Sequence, residues 1–489
     1  MNHTLNRATR DALIVGSLAL LVRIPAFFAP QPLGFDDGQF AMSVIAMRHG
    51  GAPFRQVFSS QGPLFLPIAW LGDLFTLRGI NSPRAASVFA GVVLTVLVLL
   101  IARRLTSPGA ALLTAVFVAL SGSVLWTTGP LTSDGIGAAL TAGTVLGALG
   151  YWRSPSCRRA VLIGLLAGCA LAVKSLLVIP GLLAAGIWML MRRPGHGRGL
   201  VVAPVVAVAT VLVVSAPWGL SRVYDQYVRY HTDAVADRPI GANASKLFRT
   251  LFERDAPLLA AGIIGVLAAL ALVAASRRSR ADAPITTLDG AKAEPIPPRF
   301  PIAVWLGATL FVVLTESPMW RNHVAHVVVP LALLIGIALV STRMTALAAT
   351  VALLLAPWSI VHLGEILRPQ PARGRTAVLE HRLRALPRGA LVISDTPGLV
   401  WRAGRRVPDR FVDVSILRIT SPTPSLVLTG DDVVHAAARP DVCAVVRWSD
   451  QRFTHFPHLG ARLNALGYRA TLRTPGRPEV LWRKRDCKP

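Results

Sequence analysis

Residues 84–104 read RAASVFAGVVLTVLVLLIARR. Nothing between Arg84 and the Arg103–Arg104 pair carries a charge, and a helix of this length crosses a hydrocarbon core of about 30 Å. Lipid offers backbone N–H and C=O groups no partner, so such a run satisfies them only by bonding internally as a helix. Similar runs recur along the chain, near 12–29, 109–127, 133–152, 159–174, 176–191, 200–219, 257–276, 300–317, 324–341 and 343–362, which with 84–102 makes about eleven expected spans. The first run exceeds a signal-peptide core and has no small-residue cleavage site after it, so it predicts a retained helix. Composition agrees: the 489 residues are 53% hydrophobic and 16% charged, with a mean hydropathy of +0.53, too apolar to cover a water-soluble surface.

The net charge of +26 and pI near 11.5 would in a soluble protein raise the question of nucleic acid. Here the cations fall at Arg103 and Arg104, Arg153, Arg158 and Arg159, Arg192, Arg193 and Arg198, and Arg277, Arg278 and Arg280, each group bounding an apolar run. That distribution follows the positive-inside rule, and no basic stripe with interleaved aromatics is present, which excludes nucleic-acid binding. Arg7 and Arg10 before the first run place the N-terminus in the cytoplasm. An odd number of spans then puts residues 369–489 outside a plasma membrane. Residues 63–77, PLFLPIAWLGDLFTL, are apolar enough to be a twelfth span. A crossing there would turn the arginine groups outward, so this stretch is expected to be partly buried at the outer surface.

The long outer loops are 30–62 and about 221–256, and a polar inner loop is expected at 277–298. After Pro369 the pattern changes. LVIS at 391, FVDVSIL at 411, CAVVRW at 443 and EVLW at 479 read as strands, between helical stretches at about 376–386, 431–438 and 458–466. The expected organisation is a mainly α, polytopic transmembrane bundle over 1–368 and a small extracytoplasmic α/β domain over 369–489. Of the four cysteines, Cys157, Cys169, Cys443 and Cys487, none has zinc or redox spacing. A Cys443–Cys487 disulfide requires both residues to lie outside.

The first outer loop, GFDDGQFAMSVIAMRHGGAPFRQVFSSQGPLF from Gly34 to Phe65, is the most informative for chemistry. Asp36 and Asp37 precede a helical pattern with Phe40, Val44 and Met47 on one stripe. Two readings stand: carboxylates there cap a helix and suit its dipole, or they act on a substrate. Asp134 in LTSDGIGA opens the fourth span on the same side, with the same two readings. Arg23 within the first span and Lys174 in AVKSLLVIP are charges that face a cavity or partner, or snorkel to the interface. WRNHVAHVVVP adds Arg321, His323 and His326. The two histidines share a helical face, without a ligand set for a metal. Carboxylates and cations at one depth suit an anionic, lipid-linked substrate. No Walker, Gly-rich phosphate or Rossmann motif supports nucleotide chemistry.

At these residues the sequence resembles the GT-C superfamily of membrane glycosyltransferases, in the branch of the protein O-mannosyltransferases and the aminoarabinose transferases of lipid A. The likeness rests on the acidic pair after the first helix, the pattern FAMSVIAMRHGGAPFRQVFSSQGPLF, the carboxylate opening the fourth span and a Pro after the late His segment. It extends over about the first 345 residues, and SDTPGLVWRAGRRVPDRFVDVSILRI resembles the outer domains of bacterial members. The resemblance implies a GT-C-like fold and inverting transfer of a sugar from a polyprenyl-phosphate donor to a glycan, lipid or protein acceptor, with no cofactor or essential metal. Asp36 would be the base and Asp37 would orient it or the acceptor. This chain has Asp-Asp where the branch usually has Asp-Glu, which leaves that division open. Lys174, Arg55 and Arg321 would contact phosphate, and Arg23, Gln61, Asp134, His323 and His326 would complete the substrate-binding set.

Two other classes of protein would leave different marks in the sequence. A transporter or flippase of lipid-linked sugars would show broken helices in matched halves with polar residues at the midplane, whereas the ionisable residues here gather at the outer rim. A non-catalytic envelope assembly protein would tolerate loss of the acidic pair.

Overall fold

The structure, a computed structural model, describes residues 2–191, 197–233, 240–279, 297–418, 428–449, 452–473 and 476–487. The expected inner loop therefore falls mostly outside the described residues. A helix lies at each of the eleven expected places. Among the described residues five helices are long and apolar enough to cross a membrane: Ser82–Leu105, Ser133–Arg153, Arg198–Trp218, Arg321–Val340 and Thr345–His362. The expected continuous span at 109–127 is instead two helices, Pro108–Leu120 and Gly122–Thr128, bent by 57°; counted as one broken span they make a sixth. The break has a local cause, because Ser121 leaves the helical path and its side chain accepts from Val124 N to cap the second helix.

The helices run between two chemically different ends. At one end Arg104 Nη1 donates to Leu146 O (3.1 Å) and Arg103 pairs with Asp11. The opposite end gathers Arg84, Asp134 and Lys174. Helix Ala85–Leu105 leaves it just after Arg84, helix Ser133–Arg153 starts there with Asp134, and helix Cys157–Val173 returns to it at Lys174. Residues 63–77 stay at this second end. Gly62 N bonds Val173 O (3.2 Å), helix Phe65–Phe75 has only 11 residues, and the chain comes back to Arg84 without crossing. Phe75 and Leu77 are 81% and 91% exposed, while Asp73, fully buried, accepts from Arg48 Nε at 2.8 Å.

Close approach of helices uses small residues. Gly164 and Gly168, one helical turn apart, face helix Arg198–Ser215 so tightly that an added Cβ would meet Ala203 O at 2.5 Å and Ala207 O at 2.6 Å. The far side of that partner helix exposes Val201, Val205, Val208 and Val213, as a lipid-facing stripe does.

Residues from Gly374 onward build a four-stranded sheet of order β1-β2-β4-β3, with β1 (Leu391–Ser394), β2 (Val442–Arg447), β3 (Tyr468–Arg473) and β4 (Val480–Lys484). β1 and β2 are parallel, while β2–β4 and β3–β4 are antiparallel. Helices Gly374–Arg384, Gly430–Ala438 and Leu459–Ala465 match the expected stretches. Thr429 and Asp432 form a capping box at the second. Cys443 and Cys487 are disulfide-bonded with Cα atoms 5.2 Å apart.

One strand expectation needs correction, and one strand was not expected. FVDVSIL is not a strand but lies in two short 3₁₀ turns, Asp409–Phe411 and Val414–Arg418. Its residues from Phe411 to Ile416 are buried consecutively rather than alternately, because the segment is wedged against the membrane bundle instead of joining the sheet. β3 carries arginines and is exposed along most of its length, an edge strand whose hydropathy gives no signal.

This C-terminal unit sits on the second end of the bundle. Gly38 and Gly398 meet so closely that a Cβ at Gly38 would stand 2.5 Å from Gly398 Cα. Trp401 Nε1 donates to Ile80 O (3.0 Å), Arg402 to Pro30 O (2.7 Å) and Asn81 Oδ1 (2.9 Å), and Arg452 stacks 3.7 Å over Phe35.

Candidate active site

The acidic pair opens helix Phe35–Arg48, where the exposed N–H groups and dipole favour negative charge. Gly34, with φ of 137°, turns the chain into it in a conformation that side chains avoid. The two aspartates then diverge. Asp37 is buried and fully engaged: it accepts from Leu33 N (2.9 Å), Leu131 N (2.8 Å) and Arg84 Nη2 (2.6 Å). Arg84 is itself 0% exposed and donates onward to Ala26, Ala29 and Gln31 carbonyls. Asp37 thereby ties the first loop to the starts of two long helices. Asp36, half-buried, faces a cavity of about 350 Å³ with Trp126, Lys246, Arg254, Trp320 and Arg321 on its walls.

The cations of that cavity come from a kink. Helix Ile240–Ser279 breaks its helical path at Asp255 (φ −133°), two residues before Pro257. Asp255 accepts from Ser121 and Ser123, each at 2.5 Å, so the two helix breaks are bonded to each other. This places Arg254 over the Trp126 ring at 4.7 Å. Arg254 Nη1 and Trp126 Nε1 are buried without a hydrogen-bond partner among the described residues. Such donors cost about 1–3 kcal/mol each if they stay unpaired. Arg321 pairs with Glu253 and donates to Thr250 Oγ1 (3.1 Å), and Lys246 donates to Met319 O (2.6 Å).

Beside the cavity lies a second cluster. Lys174 Nζ is 3.2 Å and His326 Nε2 3.4 Å from Asp134 Oδ1, the histidine at ion-pair distance but outside hydrogen-bonding geometry. His323 reaches Asp134 at 4.0 Å and bonds Glu316 through Nδ1 at 2.6 Å. Gln61 joins this cluster to the first loop by accepting from Ser133 Oγ (2.7 Å). Among the described residues no group of three or more His, Cys, Asp or Glu side chains is arranged to hold a metal.

Two of the substrate-binding expectations lie elsewhere. Arg23 is sealed between helices, donating to Thr128 Oγ1 (2.8 Å) and Ala19 O (2.7 Å), and lines neither of the two cavities described here. Arg55 lines a larger cavity of about 1030 Å³ on another face of the Phe35–Arg48 helix, together with His49, Arg406, Asp409 and Arg439. In that cavity burial raises the Asp409 carboxyl, and burial together with Arg406 lowers His49. Sequence reasoning missed Arg84, Lys246, Arg254 and Asp255. The available signal was the charged FERDAP at 252–257 heading a span, with the Ser-Gly-Ser at 121–123 interrupting another.

Residues 60–220 match the family model of dolichyl-phosphate-mannose-protein mannosyltransferase. No curated protein sequence matches the chain. Among solved structures the fold is similar to ArnT from Cupriavidus metallidurans in the apo state, with a TM-score of 0.62 and 14% identity over 97% of this chain and 98% of that one. It is similar also to the same protein bound to undecaprenyl phosphate, with a TM-score of 0.61 and 15% identity over 96% and 97% of the two chains. The arabinofuranosyltransferase AftD from Mycobacteria is similar at a TM-score of 0.52 and 15% identity, over 98% of this chain and 42% of that one. The chain thus shares its fold with ArnT and, over residues 60–220, resembles the dolichyl-phosphate-mannose-protein mannosyltransferases.

Proposed function

We propose that this protein is an inverting glycosyltransferase that moves a sugar from a polyprenyl-phosphate donor to an acceptor at the outer face of the plasma membrane. The observation that carries the reading is the cavity at Asp36, where one half-buried carboxylate faces Lys246, Arg254 and Arg321 and two buried donors have no hydrogen-bond partner among the described residues. A phosphate monoanion or dianion supplies the acceptors those donors lack. An isoprenoid tail would lie along the apolar helices of the bundle.

In the reaction the acceptor hydroxyl oxygen bonds to the anomeric carbon as the bond from that carbon to the phosphate oxygen breaks. The hydroxyl proton passes to Asp36, and the electron pair leaves with the polyprenyl phosphate, held by Arg254, Arg321 and Lys246. Positioning and charge compensation supply the catalysis. Asp37 holds Asp36 in place rather than touching substrate. Lys174, Asp134, His323, His326 and Gln61 border the sugar. Residues 1–368 form the catalytic module and 369–489 an extracytoplasmic domain, a placement that suits the Cys443–Cys487 disulfide.

The experiment compares envelope glycans and lipid intermediates by mass spectrometry in cells expressing the wild-type protein or Asp36→Asn at equal membrane abundance. The variant is expected to lose the transferred sugar and to accumulate its polyprenyl-phosphate form. Wild-type glycans from Asp36→Asn membranes would remove Asp36 from the role of base.

A further inference from the structure

Arg23 is fully buried in the bundle, and among the described residues no carboxylate pairs with it. A cation at such a place is held by the oxygens around it. Here they belong to helix ends. Arg23 N bonds Leu20 O (2.9 Å), and the carbonyl one residue back, Ala19 O, accepts from Arg23 Nη1 at 2.7 Å. The same Nη1 reaches Ala119 O at 3.4 Å, beside the break at Ser121. Nε donates to Thr128 Oγ1 at 2.8 Å, on the last residue of the short helix Gly122–Thr128. The final carbonyls of a helix lack intrahelical donors and carry the negative end of its dipole, so a guanidinium suits them.

Asp255 meets the opposite polarity at the same break. It accepts from Ser121 and Ser123, where the short helix begins and a carboxylate is favoured. The seven-residue helix is thus held at its start by an anion and at its end by a cation, reached from two separate parts of the chain. What it carries belongs to the candidate site. Trp126 lines the cavity with Arg254 4.7 Å over its ring, and just beyond the helix Leu131 N bonds Asp37 at 2.8 Å. Gly91 makes the room for this clamp, since an added Cβ there would collide with Arg23 Nε and stand 2.7 Å from Thr128 Cβ.

We infer that Arg23 is a positioning residue of the phosphate site: it clamps helix Gly122–Thr128 at the end opposite Asp255 and so fixes Trp126 beneath Arg254 without touching the ligand. The inference rests on the reading of the cavity at Asp36 as the place that holds the polyprenyl phosphate. It gives a residue outside the cavity a part in the affinity of the cavity.

The test uses the full chain in lipid nanodiscs and two readouts: amide exchange followed by mass spectrometry without ligand, and affinity for undecaprenyl phosphate. Arg23→Met keeps the bulk and removes the charge and the donors. Exchange across residues 122–131 is expected to quicken by about ten-fold or more while helix Ser133–Arg153 is unchanged. Affinity is expected to fall by about ten-fold, as when a hydrogen bond to a charged group is lost. Arg23→Lys, which keeps a cation beside the helix-end carbonyls, is expected to bring both readouts back to within about three-fold of wild type. Gly164→Ala, which must part a helix pair elsewhere in the bundle, is expected to lower the melting temperature and leave affinity in place. Wild-type exchange across 122–131 in folded Arg23→Met protein would overturn the inference, as would wild-type affinity despite faster exchange, or an equal loss of affinity in Gly164→Ala. Should Arg23→Met not fold, Thr128→Val, which removes the acceptor of the Nε bond at nearly constant shape, is read in its place by the same outcomes. A wild-type protein that binds no undecaprenyl phosphate would instead overturn the reading of the cavity, and because exchange is measured without ligand the two failures are separable.

Discussion

Two cavities flank the helix that carries the acidic pair, and they differ in size and in how their polar groups are matched. In the larger one, Arg410 pairs with Asp432 and Arg439 with Asp441, so much of its positive charge is met within the protein. In the smaller one Glu253 meets Arg321, but buried donors on Arg254 and Trp126 lack hydrogen-bond partners among the described residues. A site that waits for an anion is marked by such a mismatch, not by the number of arginines around it.

The largest effect that would break this contrast lies at Asp36. Asp36→Asn is expected to lower transfer by roughly 10²–10⁴-fold, the range for losing a general base, with unchanged membrane abundance on immunoblots. Next comes the pairing beneath it. Arg84→Ala leaves Asp37 buried and unpaired, at a cost of about 3–5 kcal/mol, so the solubilised protein should melt well below wild type. Arg48→Ala also leaves a buried carboxylate, Asp73, but Arg48 is partly exposed and water can enter its place, so the melting temperature should fall less. The contrast is sharpened by ligand binding. Arg254→Ala should weaken undecaprenyl phosphate binding in nanodiscs by about ten-fold or more, for a hydrogen bond to a charged group of ~1.5–3 kcal/mol. Arg439→Ala in the other cavity should change it less than two-fold, and equal losses from both variants would erase the distinction between the cavities.

Much of the bundle was legible because hydrophobic length and arginine placement are local properties. The run at 84–104 needed no partner to be read, and segment 63–77 was placed by the charges around it. Asp36 stands out as a candidate in the sequence because a carboxylate leaving a membrane-spanning run is costly and visible. Its partners could not, since Arg254 reaches the cavity only through a kink bonded to Ser121 and Ser123, more than a hundred positions away. Nothing local separates Asp36 from Asp37 either. Their different fates depend on Arg84 and on the backbone of Leu131. In the C-terminal unit, FVDVSIL has the composition of a strand, and only the surface it is pressed against keeps it out of the sheet. β3 was missed for the opposite reason, since an edge strand facing water has little apolar content to read.

The seam between Gly38 and Gly398 has a mechanical meaning. With no room for even a methyl group there, the upper unit is seated on backbone rather than on compliant side chains, and a seat of that kind transmits displacement instead of absorbing it. Asp36 lies half a helical turn from this bearing point. Any displacement of that unit would therefore be felt at the Asp36 carboxylate, the base in the proposed reaction.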